Sequence, residues 1–269
     1  MTWPALHDVL RQQGLLASAS GADTSAAAIA VTGIAYDSRT VKAGEVFVAL
    51  RGQHADGAMF AAQAVDRGAV VIVSEAAPPD DLAVPWEQVI DARLALAHLA
   101  AAFHLNPSRK MRVVGITGTN GKTTTAYLVS SIFEAAGIQC GLLGTVAYRV
   151  GAETRAATRT TPEAPDVQAL LAEMVSNGCG ACVMEVSSHA LALRRVDGLE
   201  FAAGVFTNLT RDHLDFHGSM ESYFAAKRRL FEMLPRDAPA VINLDDPRGA
   251  SLVEISGAPG LKSDAQLVS

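Results

Sequence analysis

Apolar residues along the chain alternate between short continuous runs and stretches with helical spacing. The early runs are rich in β-branched residues, as in buried strands, and the stretches between them repeat apolar positions every three or four residues. The predicted strands are residues 29–36, 45–50 and 69–73, and the predicted helices are residues 56–67 and 91–104. The string Asn106-Pro107-Ser108 interrupts this pattern. Residues 1–108 are therefore predicted to form a small N-terminal α/β domain.

The same alternation continues through residues 109–269. The predicted strands are residues 113–116, 138–143, 145–150, 181–186, 201–206 and 241–244, and the predicted helices are residues 122–136, 165–176 and 219–234. In the first of these helices, Leu128, Ile132 and Ala135 are the predicted buried positions. Strands separated by helices imply an α/β fold with a mostly parallel, doubly wound sheet that binds its ligands at the strand carboxyl ends.

Composition narrows the class of protein. A length of 269 residues suits two domains, and 49% apolar with 19% charged residues is typical of globular proteins. The net charge of −6 argues against a nucleic-acid surface. No apolar run suits a membrane helix and the N-terminus is unlike a signal peptide, so we expect a cytoplasmic protein. The three cysteines, Cys140, Cys179 and Cys182, fit a reducing compartment, and we assign them to structure rather than to redox or zinc chemistry.

A glycine-rich turn follows the strand at residues 113–116. It is Gly118, Thr119, Asn120 and Gly121, and a helix that starts with Lys122, Thr123 and Thr124 comes next. Backbone N–H groups at such a turn hold phosphates, the lysine reaches the terminal phosphates and the next hydroxyl binds Mg²⁺. The usual pattern G-x-x-x-x-G-K-[ST] has a glycine where this chain has Ile116, so the turn is a variant phosphate loop (P-loop). The alternative is an ordinary strand-turn-helix with a surface lysine.

Polar side chains also follow the later strands. Glu185 lies near the carboxyl end of a buried strand, where a P-loop fold places a carboxylate for Mg²⁺. Residues 207–217 contain two aspartates and two histidines at a spacing unsuited to zinc, so they are either a loop facing the same Mg²⁺ or a surface turn. In the first domain, residues 37–39 and 51–57 follow strands and are either ligand contacts or plain turns.

Lys227 falls on the apolar face of the helix predicted at residues 219–234, four residues after Tyr223. A lysine at such a position usually extends to solvent. If it is held inside, its pKa falls, and the neutral amine can take up CO2 to form a carbamate that binds a second Mg²⁺. The sequence pattern leaves both alternatives open.

Five ordered strings together resemble the Mur ligases of peptidoglycan synthesis. They are GTNGKTT (118–124), TTPE (160–163), MEVSSHAL (184–191), FTNLTRDHLDFHG (206–218) and YFAAKRRLF (223–231). A further string, DSRTVKAGEVFVALRGQHADG (37–57), is similar to the N-terminal uridine-nucleotide domain of that family. The resemblance covers nearly the whole chain from about residue 30.

The resemblance implies a role for each matching residue. ATP would be bound by Gly118, Thr119, Asn120, Gly121, Lys122, Thr123 and Thr124. Magnesium would be bound by Thr123, Glu185, His213 and the carbamate of Lys227. The UDP end of the substrate would contact Ser38, Gln53, His54 and Ala55, and its muramoyl-peptide end Thr160, Thr161, Ser187 and Arg195. Lys122 and Lys227 would be the catalytic lysines. Leu193 departs from the family, because some members have glutamine there.

The implied reaction is an ATP-dependent ligation that uses Mg²⁺. ATP would phosphorylate the D-glutamate carboxylate of UDP-N-acetylmuramoyl-L-Ala-D-Glu, and meso-diaminopimelate, or L-lysine, would displace phosphate from the acyl phosphate. The resemblance implies a monomer in the cytoplasm. It also implies a third domain beyond Ser269, so we expect a truncated ligase. The alternatives are an inactive nucleotide-binding fragment and a ligase similar to folylpolyglutamate synthase.

Overall fold

The computed structural model describes residues 1–17, 28–52 and 55–255. The chain divides into two compact units, Met1–Leu105 and Asn106–Ser269. Residue 108, the predicted domain boundary, lies in a single 3-10 turn, Pro107–Arg109, at the start of the second unit. Residues 256–269, where the sequence predicted no closing element, lie outside the described residues.

The first unit has a four-stranded parallel sheet within the described residues. Its strands, in spatial order, are β1 (Gly33–Ala35), β2 (Glu45–Ala49), β3 (Val71–Ser74) and β4 (Trp86–Gln88). Its helices are α1 (Trp3–Gln12), α2 (Ala61–Asp66) and α3 (Ala92–Phe103). The sequence patterns missed α1, although Trp3, Leu6 and Leu10 have helical spacing and are fully buried. They also missed β4, which is only three residues long and follows a proline-rich loop.

The second unit has a seven-stranded sheet within the described residues. Its spatial order is β11 (Ala240–Ile242), β10 (Ala203–Phe206), β5 (Arg112–Thr117), β9 (Ala181–Glu185), β6 (Cys140–Leu143), β7 (Ala147–Val150) and β8 (Glu153–Ala156). Its helices are α4 (Lys122–Ala135), α5 (Ala164–Ser176), α6 (Ser188–Ala192), α7 (Leu214–His217), α8 (Met220–Glu232) and α9 (Pro247–Ile255). The first five strands of that order are parallel, which confirms the predicted mostly parallel sheet.

The other edge of this sheet is an antiparallel addition. The strand predicted at residues 145–150 begins at Ala147, and it pairs antiparallel with β6 and with β8. The turn at Gly151, where φ is +62°, connects β7 directly to β8. No helix separates these strands, so the parallel crossover that the alternation implied does not form here.

The predicted buried face of α4 is wrong. Leu128 and Ile132 are 61% and 67% exposed, whereas Ala126 and Ser130 are buried. Because α4 packs against β5, β6 and β9, small side chains on its inner face allow a close approach to the sheet. Val129 and Phe133 also pack against the core beneath this helix, whereas Leu128 and Ile132 point outward.

In α8 the prediction is confirmed, since Tyr223, Lys227, Leu230 and Phe231 are all buried on one face. The N-cap of this helix is Ser219, whose hydroxyl accepts a hydrogen bond from the Ser222 amide at 3.1 Å. None of the described helices is both long enough and apolar enough to cross a membrane.

Candidate active site

Two glycines give the phosphate loop its shape. The loop connects β5 to α4, and Gly118 and Gly121 have φ angles of +147° and +82°, where residues with side chains are strained. A Cβ atom on Gly118 would lie 1.9 Å from Thr207 Oγ1, so a side chain has no room there. The loop therefore brings bare backbone to the N-terminus of α4, as an anion cradle requires.

Two lysines converge on one backbone oxygen of this loop. Lys122 Nζ donates hydrogen bonds to the carbonyls of Gly118 and Thr119, each at 2.9 Å. Lys227 Nζ donates to the same Gly118 carbonyl at 2.7 Å. Lys227 is only 1% exposed, and its Nζ lies 4.5 Å from the centre of the Tyr223 ring. The alternative in which Lys227 extends to solvent is therefore wrong.

This environment changes the acidity of both amines. Burial, helped by the positive charge of Lys122, lowers the pKa of Lys227 from 10.5 to about 7, while Asp212 opposes the shift. Burial also lowers the pKa of Lys122, against the opposing charges of Glu185 and Asp212. A lysine with a pKa near 7 carries a large neutral fraction at neutral pH. That neutral amine is the form that can react with CO2.

Glu185 is a buried carboxylate at the carboxyl end of β9. Its Oε1 accepts hydrogen bonds from Thr123 Oγ1 and from the Thr145 amide, both at 2.9 Å. Its Oε2 accepts one from Thr145 Oγ1 at 3.1 Å. Carboxylate and hydroxyl oxygens are the ligands that Mg²⁺ prefers, and here the two lie together beside a phosphate cradle. Glu185 and Thr123 therefore fit a magnesium ion.

His213 lies in a cluster of rings beside these groups. Its backbone has φ +50°, which is rare for a residue other than glycine, and its Nε2 pairs with Asp212 at 3.4 Å. The centre of its ring lies 4.9 Å from that of His189, and 6.2 Å from that of Tyr223. No hydrogen bond joins His213 to Glu185 or Thr123 within the described part of the chain. The structure thus places His213 next to the ring that covers Lys227.

The ring cluster continues into α6 and α7. His189 stacks on Phe216 with the ring centres 4.1 Å apart, and His217 Nε2 lies 2.9 Å from Ser188 Oγ. Burial lowers the pKa of both His189 and His217, and neighbouring positive groups add to the effect. These contacts hold α7, the short helix that follows His213, against α6, which begins three residues after β9 ends.

The four residues assigned to the muramoyl peptide come together around the end of β9. Thr161 Oγ1 donates to the Glu185 carbonyl at 2.8 Å and accepts from the Ser187 amide at 3.1 Å. Arg195 donates to the Thr161 carbonyl at 3.2 Å and pairs with Glu163 at 2.7 Å. Thr160 Oγ1 lies 3.1 Å from Thr145 Oγ1. All four therefore belong to the network that holds Glu185, while Leu193 is half-buried close by in sequence.

The residues assigned to the UDP end lie in the first unit. Ser38 is buried and donates to Gln63 Oε1 at 2.7 Å. Ala55 is exposed, next to the bridge between Arg51 and Asp56, and Gln53 and His54 lie outside the described residues. A cavity of about 210 Å³ near this bridge is lined by Ala49, Arg51, Asp56, Glu75 and Ala76.

The sequence patterns did not identify two residues of the site, Thr145 and Asn208. The pattern predicts a strand at Thr145, which bonds twice to Glu185, and it includes Asn208, which contacts the phosphate loop, only within a longer string. A signal existed for Thr145, because it follows the strand predicted at residues 138–143, and parallel sheets bind ligands at strand carboxyl ends. Its closeness to Glu185 depends on the pairing of β6 with β9, which the sequence does not predict. A Cβ atom on Gly144 would lie 2.4 Å from Glu185 Oε1.

Comparison with known families agrees with this geometry. Residues 116–263 match the Mur ligase middle domain, and residues 30–104 match the Mur ligase family catalytic domain. Because the first match alone covers more than half of the chain, this chain belongs to the Mur ligase family. The phosphate loop, Glu185 and Lys227 all lie within the matched middle domain.

Comparison with individual relatives is more specific than the family match. The UDP-N-acetylmuramoyl-L-alanyl-D-glutamate–2,6-diaminopimelate ligase of Geobacter metallireducens is 51% identical over 239 residues, which cover 86% of this chain and 47% of that protein. Its counterpart in Geobacter sulfurreducens is 50% identical over 246 residues, covering 87% and 48%. A solved structure of a ligase with the same name has a TM-score of 0.71 at 29% identity, covering 84% and 46%. The chain spans about half the length of the curated relatives it matches.

Proposed function

We propose that this chain carries the ATP-binding and UDP-sugar-binding parts of a ligase that adds 2,6-diaminopimelate to UDP-N-acetylmuramoyl-L-alanyl-D-glutamate. The observation that carries the proposal is the convergence of Lys122, Lys227 and the Glu185–Thr123 pair on one phosphate loop. The names of the relatives with about half of their residues identical supply the substrates. We place the protein in the cytoplasm, as a monomer.

The proposed reaction has two steps. The side-chain carboxylate of D-glutamate attacks the terminal phosphorus of ATP, and ADP leaves as the acyl phosphate forms. An amine of diaminopimelate then attacks the acyl carbon, loses a proton and expels phosphate, which leaves an amide bond. Both steps bring anions together or develop negative charge on oxygen, so positioning and charge neutralisation are the main tasks of the site.

The residues of the second unit suit these tasks. The loop at residues 118–124 and the ammonium of Lys122 would hold the phosphates, and Thr123 and Glu185 would hold magnesium. We also assign His213 and a carbamate on Lys227 to metal binding. The carbamate forms when the neutral amine of Lys227 attacks CO2 and releases one proton. Bound magnesium would supply positive charge to neutralise the phosphate oxygens.

The substrate residues separate by unit. Ser38, Gln53, His54 and Ala55 would bind the UDP end, together with the cavity near Arg51 and Asp56. Thr160, Thr161, Ser187 and Arg195 would bind the muramoyl peptide. Arg195 would supply positive charge for a substrate anion. Glu163 and the Thr161 carbonyl hold its guanidinium in place, and the Glu163 carboxylate offsets part of its charge.

Calorimetric titration tests this proposal first. The chain is expected to bind Mg·ADP and UDP-N-acetylmuramoyl-L-Ala-D-Glu, and not folate. Supplying the remaining C-terminal part of the Geobacter metallireducens ligase as a separate chain should then give phosphate release that depends on both the dipeptide substrate and diaminopimelate. Binding of folate in place of the UDP-linked dipeptide would contradict the proposal.

A further inference from the structure

A second loop, residues 207–210 after β10, holds the backbone of the phosphate loop. The side chain of Asn208 makes two of these contacts, accepting a hydrogen bond from the Asn120 amide at 3.0 Å and donating one to the Asn120 carbonyl at 3.1 Å. The backbone carbonyl of Asn208 accepts a third from the Thr119 amide at 2.9 Å. Only one orientation of the Asn208 amide satisfies both side-chain bonds, since one oxygen and one nitrogen are required.

These bonds fix the direction of two peptide planes. The Asn120 carbonyl also accepts a hydrogen bond from Thr207 Oγ1 at 2.7 Å, so it is held towards residues 207–210. A planar trans peptide directs the next N–H, that of Gly121, to the opposite side. In the preceding plane, the Asn120 amide points at Asn208, and the Thr119 carbonyl therefore points the other way, where it accepts from Lys122 Nζ at 2.9 Å.

The loop at residues 207–210 is in turn held by residues that follow β11. Asp246 Oδ2 accepts a hydrogen bond from the Leu209 amide at 2.7 Å, and Asn243 Nδ2 donates to the Thr207 carbonyl at 2.8 Å. Asp246 also accepts from the Arg248 amide at 2.8 Å, which ties it to the start of α9. The contacts of Asn208 thus connect the phosphate loop to a framework formed after β11.

We propose that Asn208 is a positioning residue for nucleotide binding, which directs the Gly121 N–H at the phosphates by holding the peptide plane between Asn120 and Gly121. The inference rests on the proposed function, because phosphate is taken to be the ligand of this loop. Asn208 does this through Asn120 and leaves the charged groups of the site unchanged. Preorganised donors bind an anion without first reorienting, which is the source of the gain in affinity.

The test is calorimetric titration of Mg·ADP and of inorganic pyrophosphate into the wild-type chain, Asn208→Ala and Asn208→Asp. Asn208→Ala loses both side-chain bonds, and Asn208→Asp keeps the acceptor for the Asn120 amide but loses the donor and adds negative charge. Both ligands should bind at least about tenfold more weakly to each variant, equivalent to ~1.4 kcal/mol. Asn177→Ala and Asn177→Asp, at an exposed position after α5, are the matched controls and should bind like wild type.

The affinity for a second ligand distinguishes a loss of phosphate-loop positioning from general damage to the fold. The affinity for UDP-N-acetylmuramoyl-L-Ala-D-Glu should be unchanged in the Asn208 variants, and Asn208→Ser replaces Asn208→Ala if the latter does not fold. Wild-type affinity for Mg·ADP in all folded Asn208 variants would overturn this inference alone. Failure of the wild-type chain to bind Mg·ADP would instead overturn the proposed function, and the inference with it.

Discussion

Lys227 is a buried amine that carries no carboxylate partner within the described residues. Its acceptor is the carbonyl of Gly118, and the charged group that affects its pKa most is another amine, that of Lys122. Burying a positive charge in this way is unfavourable, and this cost lowers the pKa of Lys227 because it favours the neutral amine. Strongly shifted pKa values are common at functional sites, and the neutral amine is the form that the proposed carbamate requires.

The lowered pKa of Lys227 predicts a pH dependence of stability. The folded chain binds this proton with a pKa of about 7 and the unfolded chain with 10.5, so between these values the unfolded state holds more protons. The free energy of unfolding in CO2-free buffer should therefore rise with pH across this window. Urea unfolding at several pH values measures it, and Lys227→Met should lack this contribution. An equal slope in the variant would contradict the account.

Individual residues differ in how far the sequence could predict them. Lys227 could be singled out because a lysine on an apolar helical face is unusual, and Glu185 because it ends a buried strand. The hydrogen bond from Thr123 to Glu185 could not be predicted, since it joins residues on different elements and depends on the packing of α4 against β9. The two bonds of Asn208 are equally non-local.

At the scale of elements, the shape of the phosphate loop depends on the loop at residues 207–210 as well as on its own glycines. Gly118 lies against Thr207 and the backbone of Asn208, whereas a Cβ atom on Gly121 would meet nothing closer than 4.0 Å. The two glycines are thus required for different reasons. One needs both space and an unusual backbone angle, and the other needs the angle alone.

This difference predicts unequal effects of the same substitution. Gly121→Ala should lower the free energy of unfolding by about 1–2 kcal/mol, the cost of a left-handed backbone with a side chain. Gly118→Ala adds a steric clash, which costs about 1–3 kcal/mol more. Urea unfolding of both variants measures the difference, and equal destabilisation would show that Thr207 and Asn208 do not confine the loop.

Helix α4 shows where periodicity misleads. Residues 126 and 130 have the same spacing as Leu128 and Ile132, and the helix presents Ala126 and Ser130, together with Val129 and Phe133, to the core. Serine counts as polar in a hydrophobic pattern, so the buried position of Ser130 gave no apolar signal. The bounds of this helix could be predicted from Lys122 and Gly137, but its rotation about its axis could not.

The observed rotation predicts the outcome of surface and core substitutions in α4. The double variant Leu128→Gln and Ile132→Gln changes only exposed positions, so its free energy of unfolding should stay within about 0.5 kcal/mol per site of wild type. Ala126→Leu forces a larger side chain against the sheet and should cost about 1–3 kcal/mol. Thermal or urea unfolding checks both, and the reverse order would contradict the placement of α4.

At the scale of the whole molecule, each unit has its own sheet and its own candidate ligand residues. The alternation of strands and helices predicted the parallel sheet, and it places candidate ligand residues at strand ends. It did not predict the spatial order of the strands, in which β9 inserts between β5 and β6, because that order is decided by long-range pairing. This insertion is what brings Glu185 next to the phosphate loop.

The central claim is that the cradle at residues 118–124, with Lys122 and the Glu185–Thr123 pair, binds a nucleotide with magnesium. Its most direct test is calorimetric titration of ADP into the wild-type chain and Lys122→Ala, with and without Mg²⁺. We predict that wild type binds one equivalent of ADP, more tightly with Mg²⁺, and that Lys122→Ala loses at least about tenfold in affinity, equivalent to ~1.4 kcal/mol. Equal affinity of the two proteins for Mg·ADP would contradict the claim.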